Sequence, residues 1–356
     1  MRAVGKTGWI GVDVGTRAVK LAQVERRGNG WRLLEALIVR RRDTWQGDEA
    51  NLRPVSSSDE IRAGLALGRG FKNRRAALVL SMALCDARGV HVEDGNESER
   101  RAAITRELDK LYGSAAENRA VDYWPVSLPG DRAPNTENAV MFSLPHPWAQ
   151  QLANDLVECR LSGEALDALP LALARAVAMA PGAAAETTAA IDWGCQRATF
   201  CVVHRGVAAF VRCLRDAGFA QVSSAVCSAL SVSADEAQNL LVDHGLLLPG
   251  QGNAGQLAPV IEEVTAGPRA AFVEEVQRTL VYLRQQRRAL VPSRVLLFGA
   301  GAVVRNMAEY LSRKLEVPVS VWSLAGDVAP PQRERTIPAA LLGPAIALSS
   351  LAWVRT

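Results

Sequence analysis

The sequence has few of the side chains from which metal and disulfide sites are built. Its 356 residues include four histidines and six cysteines, and no two cysteines form a C-x-x-C pair. The histidines stand alone along the chain, so a metal site built from them is not expected. The cysteines are predicted to be reduced thiols in a cytosolic protein. These residues are His91, His146, His204 and His244, and Cys85, Cys159, Cys195, Cys201, Cys213 and Cys227.

Neither a secretory leader nor a membrane-spanning helix is expected from the sequence. Residues 1–8 have no apolar core of the kind that a secretory signal needs. The most apolar stretch, residues 337–354, contains Pro338, Gly343 and Pro344, and it falls short of the ~20 apolar residues that a spanning helix requires. We therefore expect a buried C-terminal helix, and we expect the chain to reach a membrane only through a partner.

No concentrated excess of positive charge points to a nucleic acid. The formal net charge is +4, and short arginine runs at 40–42, 74–75 and 287–288 are scattered along the chain. A nucleic-acid binder more often gathers its basic residues on one face, so no nucleic-acid partner is expected. Because single cores stop growing near ~250–300 residues, a chain of 356 residues is expected to form two lobes.

The stretch at residues 9–25 has the pattern of a β-hairpin with an unusual turn. An apolar run ends in Asp13-Val14-Gly15, and a second alternating run follows after a short turn. Gly15 allows another group close to the backbone, and turn N–H groups can face an anion. Lys20 adds a cation, and Asp13 can hold Mg²⁺ through water. The pattern is that of half a Mg-nucleotide site, with a plain hairpin as the alternative.

Residues 188–203 repeat the same order of apolar run, Asp-x-Gly, short turn and apolar run around Asp192-Trp193-Gly194. In both copies a third apolar run follows, at 31–39 and at 207–214. A repeated three-strand unit predicts a duplicated architecture in which the two turns face each other across a cleft. The repeat favours a nucleotide site more strongly than either motif alone.

A third segment follows near the end of the chain. Residues 294–298 form a short apolar run that leads into Gly299-Ala300-Gly301, and helical spacing then continues from Val303 to residue 315. Strand, glycine turn and helix predict a parallel unit in which the glycines let a flat ligand approach the backbone. A dinucleotide fingerprint needs a third glycine where Val304 stands, so a Rossmann site is disfavoured.

The segment between the two repeats is predicted to be a separate α+β insert at residues 59–162. Helices are expected at 58–67, 97–112 and 146–161, strands at 76–82, 89–93, 121–128 and 139–144, and a further helix at 165–179. In the second half, Ser233 is expected to cap a helix at 237–243. A long helix at 259–288 is expected to break at Gly267-Pro268, and residues 248–258 are expected to form a mobile connection.

The two hairpins and the late glycine turn resemble the phosphate-1, phosphate-2 and adenosine segments of the actin-like ATPase superfamily. Residues 11–20, GVDVGTRAVK, are similar to the opening G-x-D-x-G-x-x-x-x-K of the PilM family, and residues 343–348, GPAIAL, resemble its closing G-x-A-x-A-L helix. The resemblance implies an α/β chain with the actin-like ATPase fold. Two duplicated ribonuclease-H-like lobes would carry an inserted α+β subdomain of the kind called 1C.

The resemblance also implies how the chain is divided. The predicted parts are the start of the first lobe (1–58), the 1C-type insert (59–162), a connecting helix of the first lobe (163–185), the second lobe (186–325) and a C-terminal helix that returns to the first lobe (326–356).

The same resemblance implies an ATP and Mg²⁺ site between the lobes. Asp13 and Asp192 would hold Mg²⁺ through water. No side chain is marked by spacing as catalytic, so weak or absent ATPase activity is expected. The implied nucleotide-binding residues are Asp13, Gly15, Thr16, Arg17, Lys20, Asp192, Gly194, Cys195, Gln196, Arg197, Gly299, Ala300 and Gly301.

The second turn departs from the family pattern Asp-x-Gly-x-Gly-Thr-Thr. Gln196 stands in place of the second glycine, and Arg197-Ala198 stands in place of the hydroxyl pair. A larger residue limits how closely the backbone can wrap a phosphate. Arg197 can compensate by gripping a phosphate oxygen, or it can fill the pocket of a chain that has lost the nucleotide.

The family resemblance implies a cytoplasmic adaptor of type IV pilus assembly at the inner face of the cytoplasmic membrane. Its implied partner is the cytoplasmic peptide of a bitopic PilN-like protein, received near the insert, and self-association is possible. The alternatives are a nucleotide-free scaffold of a type II secretion-like system and a small-molecule kinase of the same superfamily.

Overall fold

A computed structural model of the chain describes residues 7–28, 30–42, 55–128, 137–182, 185–247, 257–327 and 337–354. Its strands are β1 (Ile10–Val14), β2 (Ala18–Arg27), β3 (Gly30–Arg40), β4 (Arg75–Leu80), β5 (Asp86–Val90), β6 (Arg119–Pro125), β7 (Ala139–Pro145), β8 (Ser162–Asp167), β9 (Thr187–Trp193), β10 (Ala198–His204), β11 (Val207–Leu214), β12 (Arg294–Gly299), β13 (Val319–Val321) and β14 (Gly326–Asp327). Its α-helices are α1 (Ser58–Leu67), α2 (Glu97–Tyr112), α3 (His146–Glu158), α4 (Leu169–Ala178), α5 (Phe219–Leu230), α6 (Ala234–Asp243), α7 (Leu257–Gln286), α8 (Met307–Leu315) and α9 (Ala339–Ser349).

The first sheet has the strand order β14-β3-β2-β1-β4-β8. β1 and β2 form the predicted hairpin, and β4 and β8 extend the sheet in parallel to β1. Every residue of β1 is buried, and helices pack on both faces of this sheet. On one face α9 comes so close that a Cβ at Gly11 would collide with the Ala345 carbonyl, and on the other Gly64 of α1 lies against Leu21.

The second sheet repeats this arrangement with the order β11-β10-β9-β12-β13. β9 and β10 form the second hairpin, and β12 joins β9 in parallel. Each sheet thus contains the same series of third strand, hairpin and parallel strand, β3-β2-β1-β4 in the first and β11-β10-β9-β12 in the second. The predicted duplication of a three-strand unit is confirmed.

Two buried helices lie between the sheets. α4 packs against β10 and β11, and α9 packs against β1, β2 and β12. One apolar core therefore contains residues of both sheets, such as Leu21 of the first and Phe298 of the second. The predicted burial of the C-terminal helix is confirmed. None of the helices in the described ranges is both long and apolar enough to cross a membrane.

A third, smaller sheet has the order β5-β7-β6. Helix α2 covers one face, where Ile104 and Leu108 pack with Met141. Asn96 and Glu99 form a reciprocal capping box at the start of α2, so local side chains determine where this helix begins. The other face of the sheet contributes Trp124 and Phe142 to the core of the lobes.

The sheet topology differs from the predicted boundaries of the insert. α1 and β4 precede the third sheet, and β4 lies within the first sheet because it pairs with β1. Residues 162–167, which include the start of the helix predicted at 165–179, form the edge strand β8. Ala165 pairs with Ala77 of β4, so pairing with a distant strand overrides the local helical spacing. Helix α4 begins only at Leu169.

Helix α7 is continuous through Gly267-Pro268, where a break is predicted. Its buried residues continue on one face across the proline, from Ile261 to Phe272. Burial of that face stabilises the helix against the local effect of proline. The expected break is therefore wrong, and the reason is tertiary packing.

Two further expectations concern the second lobe. Ser233 caps α6 as predicted, although the helix begins at Ala234. The helix predicted from Val303 begins instead at Met307, after one 3₁₀ turn at Ala300–Val303. Most of the predicted mobile connection at 248–258 lies outside the described residues.

Candidate functional site

The first turn (residues 15–17) joins β1 to β2 above the predicted pair Asp13 and Lys20. The Lys20 ammonium lies 3.0 Å from the Asp13 carboxylate, directly across the hairpin. The Gly15 N–H donates to the Ala18 carbonyl at 3.0 Å, so the backbone itself closes the turn. Asp13 and Lys20 are therefore held as one ion pair at the open end of the hairpin.

Arg41 holds this turn from outside, and the sequence does not mark it as a site residue. Its Nε donates to the Gly15 carbonyl at 3.0 Å, and its backbone N–H donates to the Arg17 carbonyl at 2.9 Å. Burial lowers the pKa of Arg41, while Glu60 and Asp155 favour its charged form. The contact joins residues 26 positions apart, so no local signal could reveal it.

The second turn (residues 194–197) joins β9 to β10, and helix α5 begins against it. The Phe219 N–H donates to the Gly194 carbonyl at 2.9 Å. A Cβ at Gly218 would collide with the Gln196 carbonyl, so this close approach requires glycine. Gly218 therefore supports the site, although no motif in the sequence singles it out.

The two turns meet at the boundary between the lobes. Burial raises the pKa of the Cys195 thiol, whereas the charge of Arg17 and a hydrogen bond with Thr16 lower it. Both of these neighbours belong to the first turn. The structure thus brings Thr16, Arg17 and Cys195 together, as the predicted facing of the turns requires.

Lys20 also links the two hairpins through charge. Burial opposes its charged form, but Asp13 and Asp192 outweigh this effect and raise the pKa of Lys20. Burial raises the pKa of Asp192 to about 6, with Lys20 lowering it and Asp13 raising it. One cation is therefore shared by two carboxylates, one from each lobe.

Arg197 carries a buried guanidinium nitrogen, Nη1, that has no hydrogen-bond partner in the part of the chain that the structure describes. The guanidinium lies beside the Cys213 thiol, whose pKa burial raises and Arg197 lowers through its charge and a hydrogen bond. Cys213 in turn lies 3.8 Å from the Met82 carbonyl of the first lobe. An unpaired buried donor costs ~1–3 kcal/mol. A phosphate oxygen would satisfy this donor, so Arg197 fits the predicted anion.

The late glycine turn packs against the second hairpin. Gly299 has a φ of +77°, and a Cβ there would lie 2.6 Å from the Asp192 carboxylate. A Cβ at Gly301 would collide with the Trp193 indole, which stacks on Phe272 with ring centroids 3.6 Å apart. Protein packing thus explains both glycines. Contact of Gly299, Ala300 and Gly301 with an adenosine stays a prediction.

The carboxylates of the cleft do not form a metal cage. Over the described ranges, no group of three or more histidine, cysteine or acidic side chains comes together. Asp13 forms an ion pair with Lys20, and the charge of Asp192 also interacts with Lys20. Direct coordination by several carboxylates is therefore not supported, and water-mediated Mg²⁺ binding stays a prediction.

A second concave feature, the α3–β8 groove, lies between helix α3 and strand β8 and has a volume of about 370 Å³. β8 ends the first sheet, so among the described residues no strand covers its outer edge. Val157 on the α3 wall is 72% exposed, and Leu166 on the β8 wall is 43% exposed. The lining residues are Leu78, Ala149, Leu152, Ala153, Leu156, Val157, Gly163, Glu164, Ala165 and Leu166.

Comparisons with known proteins show which family and which solved structures this chain is similar to. The family model of the type IV pilus assembly protein PilM matches residues 11–341. The solved PilM-PilN type IV pilus biogenesis complex is similar over 99% of this chain and 100% of that chain, with a TM-score of 0.77 and 18% identity. The ethanolamine utilization protein EutJ from Carboxydothermus hydrogenoformans is similar over 97% of this chain and 89% of that chain, with a TM-score of 0.51 and 13% identity.

At these identities the structural likeness shows the fold alone, and that fold is the predicted actin-like ATPase fold. No curated protein sequence matches the chain significantly. Because the family model covers most of its length, the chain belongs to the PilM family of type IV pilus assembly proteins.

Proposed function

We propose that this protein is an actin-like adaptor of type IV pilus assembly that binds the cytoplasmic segment of a PilN-like inner-membrane protein. Such binding holds it at the cytoplasmic face of that membrane. Family membership and the likeness to a solved PilM-PilN complex support this proposal. The observation that carries it is the α3–β8 groove.

The groove has the features that an extended peptide needs. The outer edge of β8 offers backbone N–H and C=O groups to an added strand, and such pairing supplies affinity with little dependence on sequence. The wall formed by Leu152, Leu156 and Val157 offers apolar contacts to every second side chain of that strand. The exposed Val157 and Leu166 lose water contact when a peptide fills the groove.

For the cleft between the two turns we propose Mg-ATP as the ligand. Lys20 and Arg197 supply cationic donors, and the unpaired Nη1 of Arg197 favours an anion. Asp13 and Asp192 would hold Mg²⁺ through water, and the ion supplies charge that neutralises the phosphates. The proposal concerns binding, and no side chain is assigned to hydrolysis.

The groove is tested by placing a charge on each wall. Val157→Asp and Leu166→Asp should each weaken binding of a synthetic peptide with the cytoplasmic sequence of the organism's PilN-like protein by at least about tenfold, because a carboxylate buried by the peptide loses its hydration. Fluorescence anisotropy of the labelled peptide measures this change. Val321→Asp in the second lobe is the matched control, since Val321 is also 43% exposed and lies outside the groove.

The outcomes separate the rival functions. Equal peptide affinity in all the variants contradicts the groove, and no binding by the unmodified protein contradicts the adaptor itself. Phosphate transfer from ATP to a small molecule would instead favour the kinase. Peptide binding without any nucleotide binding would favour the nucleotide-free scaffold.

A further inference from the structure

A chain of buried polar contacts leads from the first turn to helix α3. Arg41 donates through Nε to the Gly15 carbonyl at 3.0 Å and through Nη2 to the Ser57 hydroxyl. The Ser57 N–H donates to Oδ2 of Asp155 at 2.8 Å, and the Ser56 hydroxyl donates to Oδ1 at 2.7 Å. An unbroken series of hydrogen bonds therefore connects the first turn to helix α3 through Arg41, Ser57 and Asp155.

These contacts are costly to break because the residues that form them are buried. Asp155 and Ser57 are fully buried, and Arg41 is nearly so. A buried charge that loses its partner is costly, so neither Asp155 nor Arg41 can leave its position independently. The Asp155 carboxylate also lies at the N-terminus of α1, where the Ser57 side chain forms no capping hydrogen bond. A negative charge at a helix N-terminus is stabilising, so Asp155 stabilises the start of α1.

The helix that carries Asp155 is also one wall of the α3–β8 groove. Leu152 and Leu156, three residues before Asp155 and one after it, line the groove, while Asp155 itself faces Ser56 and Ser57. A helix moves as a stiff unit, so a peptide that shifts α3 relative to β8 also changes the position of the Asp155 carboxylate.

We propose that Asp155 and Arg41 are positioning residues that couple the α3–β8 groove to the first turn of the cleft. The position of α3 determines where the Asp155 carboxylate holds Ser57. Ser57 and Arg41 in turn determine where Gly15 and Arg17 of the first turn lie. The coupling of two ligands rests on the proposed function, whereas the positioning of the turn does not.

The positioning is tested without any ligand. Asp155→Asn keeps the side-chain volume but removes the charge and one acceptor, so amide hydrogen exchange at Gly15 and Arg41 should become about tenfold faster than in the unmodified protein. These two N–H groups donate to Ala18 and Arg17. Amides of the second hairpin serve as the internal reference and should not change.

Two further variants complete this test. Arg41→Lys keeps the charge but loses the Nε donor to Gly15, and it should accelerate the same two amides even if Asp155→Asn fails to fold. Asp59→Asn removes a charge at the same end of α1, where Asp59 is exposed and pairs with Arg62, and it should leave both amides unchanged. Unchanged exchange in both Asp155→Asn and Arg41→Lys overturns the proposal.

The coupling is measured with both ligands on the whole protein. The peptide dissociation constant with and without a non-hydrolysable Mg-ATP analogue should differ at least about fivefold in the unmodified protein and in Asp59→Asn. In Asp155→Asn and Arg41→Lys the ratio should approach one while each ligand still binds alone. A ratio of one in the unmodified protein, or an unchanged ratio in the variants, overturns the coupling. If the peptide or the nucleotide fails to bind at all, the proposed function fails, and the exchange experiment still decides the positioning.

Discussion

At the scale of single residues, the cleft is a small set of opposite charges shared by two hairpins. Lys20 interacts with Asp13 of its own hairpin and with Asp192 of the other. Arg197 brings a guanidinium whose Nη1 is unpaired within the described chain. Because these charged groups lie close together and are at most partly exposed, a substitution or a change of pH should alter both ligand affinity and the free energy of unfolding.

The first residue-scale prediction concerns Arg197. Arg197→Ala should weaken Mg-ATP binding roughly tenfold to a hundredfold, since a charge-assisted hydrogen bond contributes ~1.5–3 kcal/mol. Isothermal calorimetry measures the change. Arg205→Ala is the control, because Arg205 is exposed and pairs with Glu186. An affinity within a factor of two of the unmodified protein would mean that Arg197 only fills the cleft.

The second concerns the proton of Asp192. Its folded-state pKa is raised from the ordinary 3.8 to about 6. The folded state thus holds this proton more tightly than the unfolded state, so the stabilisation is fully present below pH ~3.8 and is lost as the pH rises through ~6. Asp192→Asn, which cannot ionise, should not show this loss.

Urea unfolding between pH 4 and 7 tests the sign. The free energy of unfolding of the unmodified protein, relative to Asp192→Asn, should fall as the pH rises, with a slope of up to ~1.4 kcal/mol per pH unit for one proton. Asp216→Asn, at a solvent-exposed position of the same lobe, should parallel the unmodified protein. A difference that stays constant with pH would contradict the assigned shift.

At the scale of elements, Trp193 organises the second lobe. Its indole lies between Phe272 of α7 and Gly301, and its Nε1 donates to the Ala217 carbonyl at 2.9 Å. The strand that ends in the second turn is thereby tied to helix α7 and to the late glycine turn. A position that sequence motifs treat as variable, the x of Asp-x-Gly, is here a central packing residue.

This packing predicts opposite effects at two glycines. Gly301→Ala should destabilise the protein by about 1–3 kcal/mol, because the new methyl group overpacks the indole. Gly267→Ala, inside α7 and with no atom near its Cβ position, should be neutral or stabilising by up to ~1 kcal/mol. Thermal and urea unfolding compare the two. Equal effects would show that Trp193 does not limit the space at Gly301.

At the scale of the whole molecule, the third sheet bridges the two lobes. Trp124 of β6 donates through Nε1 to the Ala208 carbonyl of β11 at 2.7 Å. Asp86 of β5 pairs with Arg215 at 3.4 Å, and Glu137 pairs with Arg287 at 2.6 Å. Opening of the cleft therefore requires that some of these contacts break.

Trp124→Phe tests the bridge. It keeps most of the apolar side chain but leaves the buried Ala208 carbonyl without its donor, which should cost ~1–2 kcal/mol. Hydrogen exchange should accelerate in β11 near Ala208, and the free energy of unfolding should fall by that amount. Trp31→Phe is the control, since the partly exposed Trp31 packs against Trp353 in the first lobe. No change at β11 would show that this contact does not hold the lobes together.

The sequence by itself determined those features that depend on neighbours along the chain. The two Asp-x-Gly hairpins follow from alternating apolar residues and a turn glycine, and their repetition indicates the duplicated fold. Helix α2 has its predicted bounds because Asn96 and Glu99 cap it locally. Ser233 and Glu236 form a second capping box at the start of α6, although that helix begins three residues before its predicted start.

Tertiary structure decided the features that depend on distant partners. Ala165 lies in a strand because β4 offers it a register, and α7 continues through Pro268 because its apolar face is buried. Arg41 supports a turn 26 residues away, which no periodicity can reveal. Local sequence patterns reflect only interactions between residues that are close along the chain. Strand pairing, burial and ion-pair networks join segments that are far apart in the sequence.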